Sequence, residues 1–298
     1  ELINAPNVVP KSSAGQGLRA VLNTYDRPIR IVTTTGEFDS LDFILRVFEE
    51  RERISVTWCD PSEDALMDAI EENTDLLVFS LVMFRDAKIL RRAGEVIARA
   101  HANGAQVFVD AYHAVGVIPV DMALLGADFI VGGSYKYMRG GPGACWLAYR
   151  DDGLRTLDTG WFAKKDPFAF ERGGNIEWGQ PFFESTPAIL PIYQARAGID
   201  LITNLGVEEL RSYSLKQQDF LRSEFAREGV VCFHPADPDE YGAFSLIHSH
   251  DARKKADILK RAGVTVDARG DNIRFCPDIL NTEAELARAA KIVAEVLR

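Results

Sequence analysis

Short apolar runs alternate with amphipathic stretches through the first half of the chain. The runs Arg30–Thr34, Ile54–Trp58, Leu76–Leu81, Gln106–Asp110, Phe129–Gly132 and Ala144–Ala148 have the length and flanking turn residues of strands. Between them, apolar positions recur at helical spacing over Ser40–Glu50, Ser62–Glu72 and Ala87–Asn103. Near-continuous apolar strands separated by amphipathic helices predict an α/β fold, a mostly parallel sheet sandwiched by helices. From about Ala188 a long helical pattern runs towards Arg227, with Gly198 and Gly206 as breaks. Strand-like runs at Val230–Phe233, Ala243–His248, Val264–Asp267 and Asn272–Phe275 then mix with helices at Ala252–Ala262 and from Thr282, which predicts a smaller C-terminal α+β domain. The expected division is a large domain over 1–190 and a small one over 191–298. Two segments, Gly36–Asp39 and Trp161–Pro167, combine turn residues with aromatics and read as functional loops, and Asp166–Pro187 is long and aperiodic.

The chain has 298 residues, 47% of them apolar, enough for a large core. Its 34 Lys and Arg against 44 Asp and Glu give a net charge of −10, which disfavours nucleic acid and anionic membranes as partners. No apolar run reaches the roughly 18 residues of a membrane helix and no signal peptide is visible, so a cytoplasmic location is expected. Cys59, Cys145, Cys232 and Cys276 show neither disulfide pairing nor zinc spacing, so no metal is expected and the thiols read as reduced and mostly buried. An anionic ligand must find local positive groups.

The polar groups that matter stand where apolar strands stop. Gln106–Asp110 ends in an acid, and Phe129–Gly132 runs into Gly133, Ser134, Tyr135 and Lys136. Ligands of open α/β sheets bind at such strand ends. A lysine there can hold an aldehyde as a Schiff base, and an aspartate on the neighbouring strand can keep a pyridinium nitrogen protonated, which together point to pyridoxal 5'-phosphate. The bland alternatives are a solvated lysine and an aspartate capping the turn at Ala111. A lysine between two tyrosines and a Gly-Gly-Pro-Gly turn has little room for solvation, and a buried carboxylate needs a cation. His113, three residues after Asp110, shares its face on a helical turn. Lys11–Gly17 opens a helix-like run whose small residues allow backbone N–H groups to approach a phosphate.

The stretch Asp110-Ala111-Tyr112-His113-Ala114, with Ser134-Tyr135-Lys136-Tyr137-Met138-Arg139-Gly140-Gly141-Pro142-Gly143, resembles the kynureninase-like branch of the class V aminotransferase family. That branch carries Asp-x-x-His-Ala-x-Gly followed by Ser-Tyr-Lys-Tyr-Leu-x-Gly-Gly-Pro-Gly; this chain departs at Met138 and Arg139. The resemblance implies the pyridoxal-phosphate-dependent transferase fold of type I. It begins inside what would be the family's large domain, so the usual N-terminal segment is expected to be absent.

By the same resemblance Lys136 is the cofactor lysine and the base for the substrate's α-proton, Asp110 the pyridinium partner, and His113 a support for the ring. Phe38 matches the aromatic stacked on the pyridine, with Asp39 and Ser40 bordering ring or phosphate. Ser13 and Ala14 occupy the phosphate cradle. Ser80 and Val82 are what remains of a loop, Ser-His-Val-Asn-Tyr-Lys in the family, that here reads Ser80-Leu81-Val82-Met83-Phe84-Arg85-Asp86. Tyr135 and Trp161 match phosphate contacts, the tryptophan arriving from a second subunit, and Tyr135 or a water assists proton transfer. Thr186 stands where kynureninases carry an asparagine and resembles the threonine by which the wider family reaches the neighbouring subunit's phosphate. Arg274, in Gly270-Asp271-Asn272-Ile273-Arg274-Phe275-Cys276-Pro277, matches the arginine that grips the substrate's α-carboxylate, a geometry suited to its planar fork. Arg139 has no counterpart; a second acidic group of the substrate, a phosphate across a dimer and water all remain open for it. Shared sites imply an obligate homodimer.

The expected activity is therefore pyridoxal-phosphate-dependent chemistry on a small-molecule α-amino acid, with hydrolytic Cβ–Cγ cleavage of a kynurenine-type substrate first. A class V aminotransferase is the alternative, towards which Thr186 and Arg139 lean. A cysteine desulfurase or lyase lacks an obvious mobile cysteine, and a non-catalytic relative has no reason to keep Asp110, His113, Lys136 and Arg274 together.

Overall fold

The computed structural model describes every residue except 1, 170, 171, 173–175 and 236. Its elements are β1 (Asn7–Lys11), α1 (Ala14–Leu22), β2 (Ile29–Thr34), α2 (Asp39–Glu50), β3 (Ile54–Cys59), α3 (Glu63–Ala69), β4 (Leu76–Ser80), α4 (Ala93–Ala102), β5 (Gln106–Asp110), α5 (Met122–Leu125), β6 (Phe129–Gly133) and β7 (Cys145–Tyr149). There follow α6 (Ile189–Leu205), α7 (Val207–Arg227), β8 (Ser245–His248), α8 (Ala252–Arg261), β9 (Asp267–Arg269), β10 (Asn272–Phe275) and α9 (Glu283–Leu297).

Seven strands form one sheet in the order β1-β7-β6-β5-β4-β2-β3. The pairs β2–β3, β2–β4, β4–β5 and β5–β6 are parallel, whereas β7 runs antiparallel to both β6 and β1. All five residues of β4 and of β6 are buried, the pattern of strands covered on both faces. One apolar cluster includes Leu77, Val107 and Ile130, and another Val78, Phe108 and Val131, so alternate residues of each strand feed opposite layers. A second, three-stranded sheet, β8-β10-β9, is antiparallel and packs through Ile247 and Ile273 against Phe225, Leu259 and Val293 from α7, α8 and α9.

Several boundaries differ from the sequence expectation for identifiable reasons. Strand β1 is unforeseen; Pro10 interrupts its pattern, which an edge strand tolerates. The helix expected from Ala87 begins at Ala93, because Ala87 takes a left-handed φ of 62° and Val82 bridges Ile89 across the preceding loop. Val230–Phe233 makes only an isolated bridge, Phe233 to Leu246, and the run expected over Val264–Asp267 pairs instead over Asp267–Arg269. Part of the long segment Asp166–Pro187 lies outside the described residues.

The long helical pattern breaks at Gly206, as expected, but runs through Gly198. A Cβ at Gly198 would meet the Arg139 carbonyl carbon at 2.4 Å and the Met138 and Arg139 carbonyl oxygens at 2.5 Å. The glycine is therefore the contact through which α6 seats against the turn that follows Lys136. Gly198→Ala is expected to destabilise the protein by about 1–3 kcal/mol, because backbone rather than a flexible side chain must give way. Urea denaturation measures it; a loss below about 0.5 kcal/mol, ordinary for an exposed helical position, contradicts it.

Candidate active site

The chain order reverses between β2 and β4: β3 lies outside β2, and the connection after β3 crosses to the other side to form β4. Open α/β sheets leave a crevice at the C-terminal ends of strands around such a switch point. Thr34 ends β2, Ser80 ends β4, Asp110 ends β5, and Lys136 follows the end of β6.

Lys136 is half-buried, its Nζ 2.8 Å from His113 Nε2. The ammonium faces aromatic rings, with Phe38 at 5.3 Å, Tyr112 at 5.4 Å and Tyr135 at 6.0 Å from their centroids. Tyr112 reaches this position because β6 ends in Gly133, where a Cβ would stand 2.4 Å from the Tyr112 ring. Desolvation lowers the Lys136 amine to about 8; Arg274 and Arg269 push the same way, and Asp110 and Asp267 oppose them. His113 is held well below its ordinary value, first by burial and then by the Lys136, Arg274 and Arg269 charges, so the imidazole is neutral. Its Nδ1 lies 3.4 Å from the Tyr137 hydroxyl.

Asp110 is 4% exposed and accepts one hydrogen bond, from the Tyr112 N–H at 2.8 Å. Desolvation raises its carboxyl to about 6. A second carboxylate lies close by and was given no role from the sequence. Glu37 is buried and accepts from the Thr34 and Ser80 hydroxyls, both at 2.6 Å. Desolvation first, with Asp110 adding to it, raises Glu37 to about 7 despite those hydroxyls. The Ser80 hydroxyl thus donates to Glu37. The available signal was an acid in a Gly-Glu-Phe-Asp turn directly after an apolar strand ending Thr33-Thr34.

Phe38 stands at the N-terminus of α2 and meets the Phe84 ring edge-on at 5.5 Å. Asp39 and Ser40 open that helix. Ser13 caps α1 by accepting from the Gln16 N–H at 3.1 Å, and Ala14 is its first residue. The first turn of α1 holds no acidic residue, so nothing within that turn offsets its positive end, although the Glu184 carboxylate accepts from Gln16 Nε2 at 3.0 Å. Ser12, Gln16, Gly143 and Thr186 line an adjoining cavity of about 230 Å³, and Lys11 is buried there against Glu184 at 2.9 Å. Tyr135 is 43% exposed and packs on Tyr112. Trp161, 40% exposed, packs on Phe162 and Phe168 of its own loop, apart from the strand ends.

Arg274, on β10, points back to this cluster: its Nη1 donates to the Phe84 carbonyl, and its guanidinium carbon lies 5.0 Å from the Phe244 ring, itself 6.1 Å from His113. Arg139, whose role the sequence left open, pairs with Asp278 at 2.6 Å and with the Tyr137 carbonyl at 2.7 Å. It ties the Lys136 turn to the segment after β10.

These groups fit pyridoxal 5'-phosphate. A buried carboxylate with one hydrogen bond suits a pyridinium nitrogen, an amine of lowered basicity suits an aldehyde, Phe38 and neutral His113 both stand beside that amine, and a helix N-terminus without acids in its first turn suits the phosphate.

Comparison with known proteins agrees. The family model described as "Aminotransferase class-V" matches residues 1–290. A Bacillus subtilis protein named "Uncharacterized aminotransferase YcbU" is 28% identical over 230 residues, 76% of this chain and 60% of that protein. Kynureninase of Geobacillus thermodenitrificans is 25% identical over 304 residues, covering 93% of this chain and 71% of the enzyme. The chain thus spans about 60–70% of the length of these relatives. A cysteine desulfurase from Thermococcus onnurineus has the same fold, with a TM-score of 0.83 at 18% identity over 97% of this chain and 78% of its own.

Glu37 gives a test of this electrostatic arrangement. A carboxyl whose value rises on folding contributes stability that is full below its unfolded value, 4.5, and is lost as the pH rises through about 7. In cofactor-free protein, Glu37→Gln should therefore gain on the native chain by roughly 3 kcal/mol between pH 4 and pH 8 in urea denaturation. Parallel pH profiles would refute the burial of that charge. The fold, the strand-end groups and the family match lead to one assignment: the chain belongs to the class V aminotransferase family of pyridoxal-phosphate enzymes.

Proposed function

We propose that this chain acts on an α-amino acid by hydrolytic cleavage of the Cβ–Cγ bond of a kynurenine-type substrate. The observation that carries the amino-acid chemistry is the convergence of Lys136, Asp110, His113 and Phe38 at adjoining strand ends, with Lys136 brought to about 8. Kynurenine-type cleavage is supported by the local motif and by the kynureninases among the relatives.

When bound, pyridoxal phosphate supplies an electron sink for the pair left at the substrate's Cα. The chain does the rest. Lys136 would hold the cofactor's aldehyde and, when free, would take the α-proton, since an amine near 8 is about one-fifth neutral at physiological pH, far more than an ordinary lysine. Asp110 keeps the ring nitrogen protonated. Phe38 and His113 would hold the ring, Ser13, Ala14 and Ser40 the phosphate end, and Arg274 the α-carboxylate. Ser80 acts at one remove, by holding Glu37. Tyr135 or a water assists protonation at the γ-carbonyl.

A class V aminotransferase is the second reading, favoured by Thr186. Arg139 does not add to it, because its guanidinium is engaged by Asp278. Desulfurase chemistry is disfavoured: desolvation raises the Cys59, Cys145 and Cys232 thiols, Cys59 and Cys232 to about 11, whereas a nucleophilic cysteine needs a thiolate, and the exposed Cys276 follows strand β10 rather than standing on a long loop.

The reading extends to a homodimer in which Trp161 and Thr186 serve the partner's phosphate. The exposed Ile189, Leu190, Tyr193, Leu201 and Leu205 of α6 are consistent with a covered face. It also includes the division into 1–190 and 191–298 and a cytoplasmic location; no described helix is long and apolar enough to cross a membrane.

Purified protein given pyridoxal phosphate should show a visible absorbance that borohydride bleaches, leaving the mass of the reduced cofactor on the Lys136 peptide; Lys136→Ala should show neither. A native chain that stays colourless contradicts the cofactor reading. Asp110→Asn should weaken cofactor affinity at least tenfold, the order expected when a buried charge loses its partner; unchanged affinity by equilibrium dialysis would remove Asp110 from the site. Turnover of L-kynurenine to anthranilate and alanine distinguishes hydrolysis from amino transfer to a keto acid.

A further inference from the structure

Arg274 is not free in this structure. It lies directly opposite Asp267 in the β9–β10 pairing, and its Nη2 donates to Asp267 Oδ2 while Nη1 donates to the Phe84 carbonyl. Its Nε is buried and has no hydrogen-bond partner. A guanidinium grips a carboxylate by two parallel N–H bonds, and Nε with Nη2 makes one such edge. That edge is half filled. Asp267 hangs on it by one oxygen, and its other oxygen, Oδ1, accepts from Arg269 Nη1 at 2.8 Å. An unmade buried N–H is costly, so the edge is unsaturated towards a ligand that brings two oxygens.

Arg269 supplies the other half of the device. It is a more exposed cation on the same strand as Asp267, already bonded to it, and close enough to act on the Lys136 amine and the His113 imidazole. A carboxylate that leaves Arg274 therefore has a cation to stay with. We propose that Asp267 is a specificity-determining counter-ion, which a substrate carboxylate displaces from Arg274 while Arg269 retains it. This rests on the reading of Arg274 as the carboxylate grip. The ligand class is an α-amino acid with a free carboxylate. An amine without one gains nothing from the exchange, and the guanidinium then stays neutralised by Asp267.

Cofactor-loaded protein titrated with L-alanine and with ethylamine, followed by visible absorbance, isolates the carboxylate. Asp267→Asn should tighten L-alanine about tenfold relative to ethylamine, which reports any change at Lys136 itself, because a competing charge has gone. Arg269→Ala should weaken L-alanine relative to ethylamine when Asp267 is present and leave that ratio unchanged beside Asp267→Asn, a non-additivity that a merely structural role would not produce. Unchanged or weaker L-alanine binding by Asp267→Asn, or an equal effect of Arg269→Ala in both backgrounds, overturns the exchange. Failure of the underlying reading looks different: Arg274→Gln would then leave the L-alanine affinity of the native chain intact, and the exchange would fall with it.

Discussion

The site depends on a carboxylate that folding buries without a cation of its own. Asp110 ends a strand whose last four residues are buried, takes one backbone hydrogen bond and is raised by desolvation to about 6. Ionised at neutral pH in such a place, it is an unfavourable group until a positive charge arrives. Lys136 contributes part of that charge from the next strand, yet desolvation and two arginines lower its own basicity. Asp110 thus lacks a full counter-charge, while Lys136, beside a neutral His113, is an amine of lowered basicity. A ring that is cationic at one end and aldehydic at the other would suit both.

Glu37 shows how a neighbouring acid is handled differently. It too is buried, but two hydroxyls, from the ends of β2 and β4, meet its oxygens. It therefore has two hydroxyl donors where Asp110 has a single backbone N–H, although desolvation still raises it to about 7. The two hydroxyls also join strands on either side of the switch point, so the turn presenting Phe38 is fastened at the crevice. Arg139 performs a related service on the other side, joining the Lys136 turn to the segment after the strand that bears Arg274. The position of Arg274 relative to Lys136 is thus set by side-chain ties as well as by the sheets.

Much of this was legible in the sequence because its signals are local. The parallel sheet followed from apolar runs separated by helical spacing, and Asp110 and Lys136 from polar residues placed at the ends of such runs. What was hidden depends on contacts between distant segments. Glu37 acquires its meaning from Ser80, and Arg139 from Asp278, neither of which spacing can reveal. Strand β1 was masked by Pro10, which an edge position accepts. The start of α4 was misplaced because a bridge between Val82 and Ile89 overrides helical patterning over the residues before Ala93. Trp161 and Thr186 remain known by resemblance, since within one chain they meet their own loop and a small cavity.

The protonation of the cofactor's ring nitrogen tests the central claim most directly. With the protein loaded with ¹⁵N-labelled pyridoxal phosphate, the nitrogen chemical shift reports whether that atom carries a proton. With Asp110 as its partner the nitrogen should be protonated through neutral pH and should lose that proton in Asp110→Asn. A nitrogen already deprotonated at neutral pH in the native chain would contradict it, and would leave the buried Asp110 carboxylate without the partner on which the site is built.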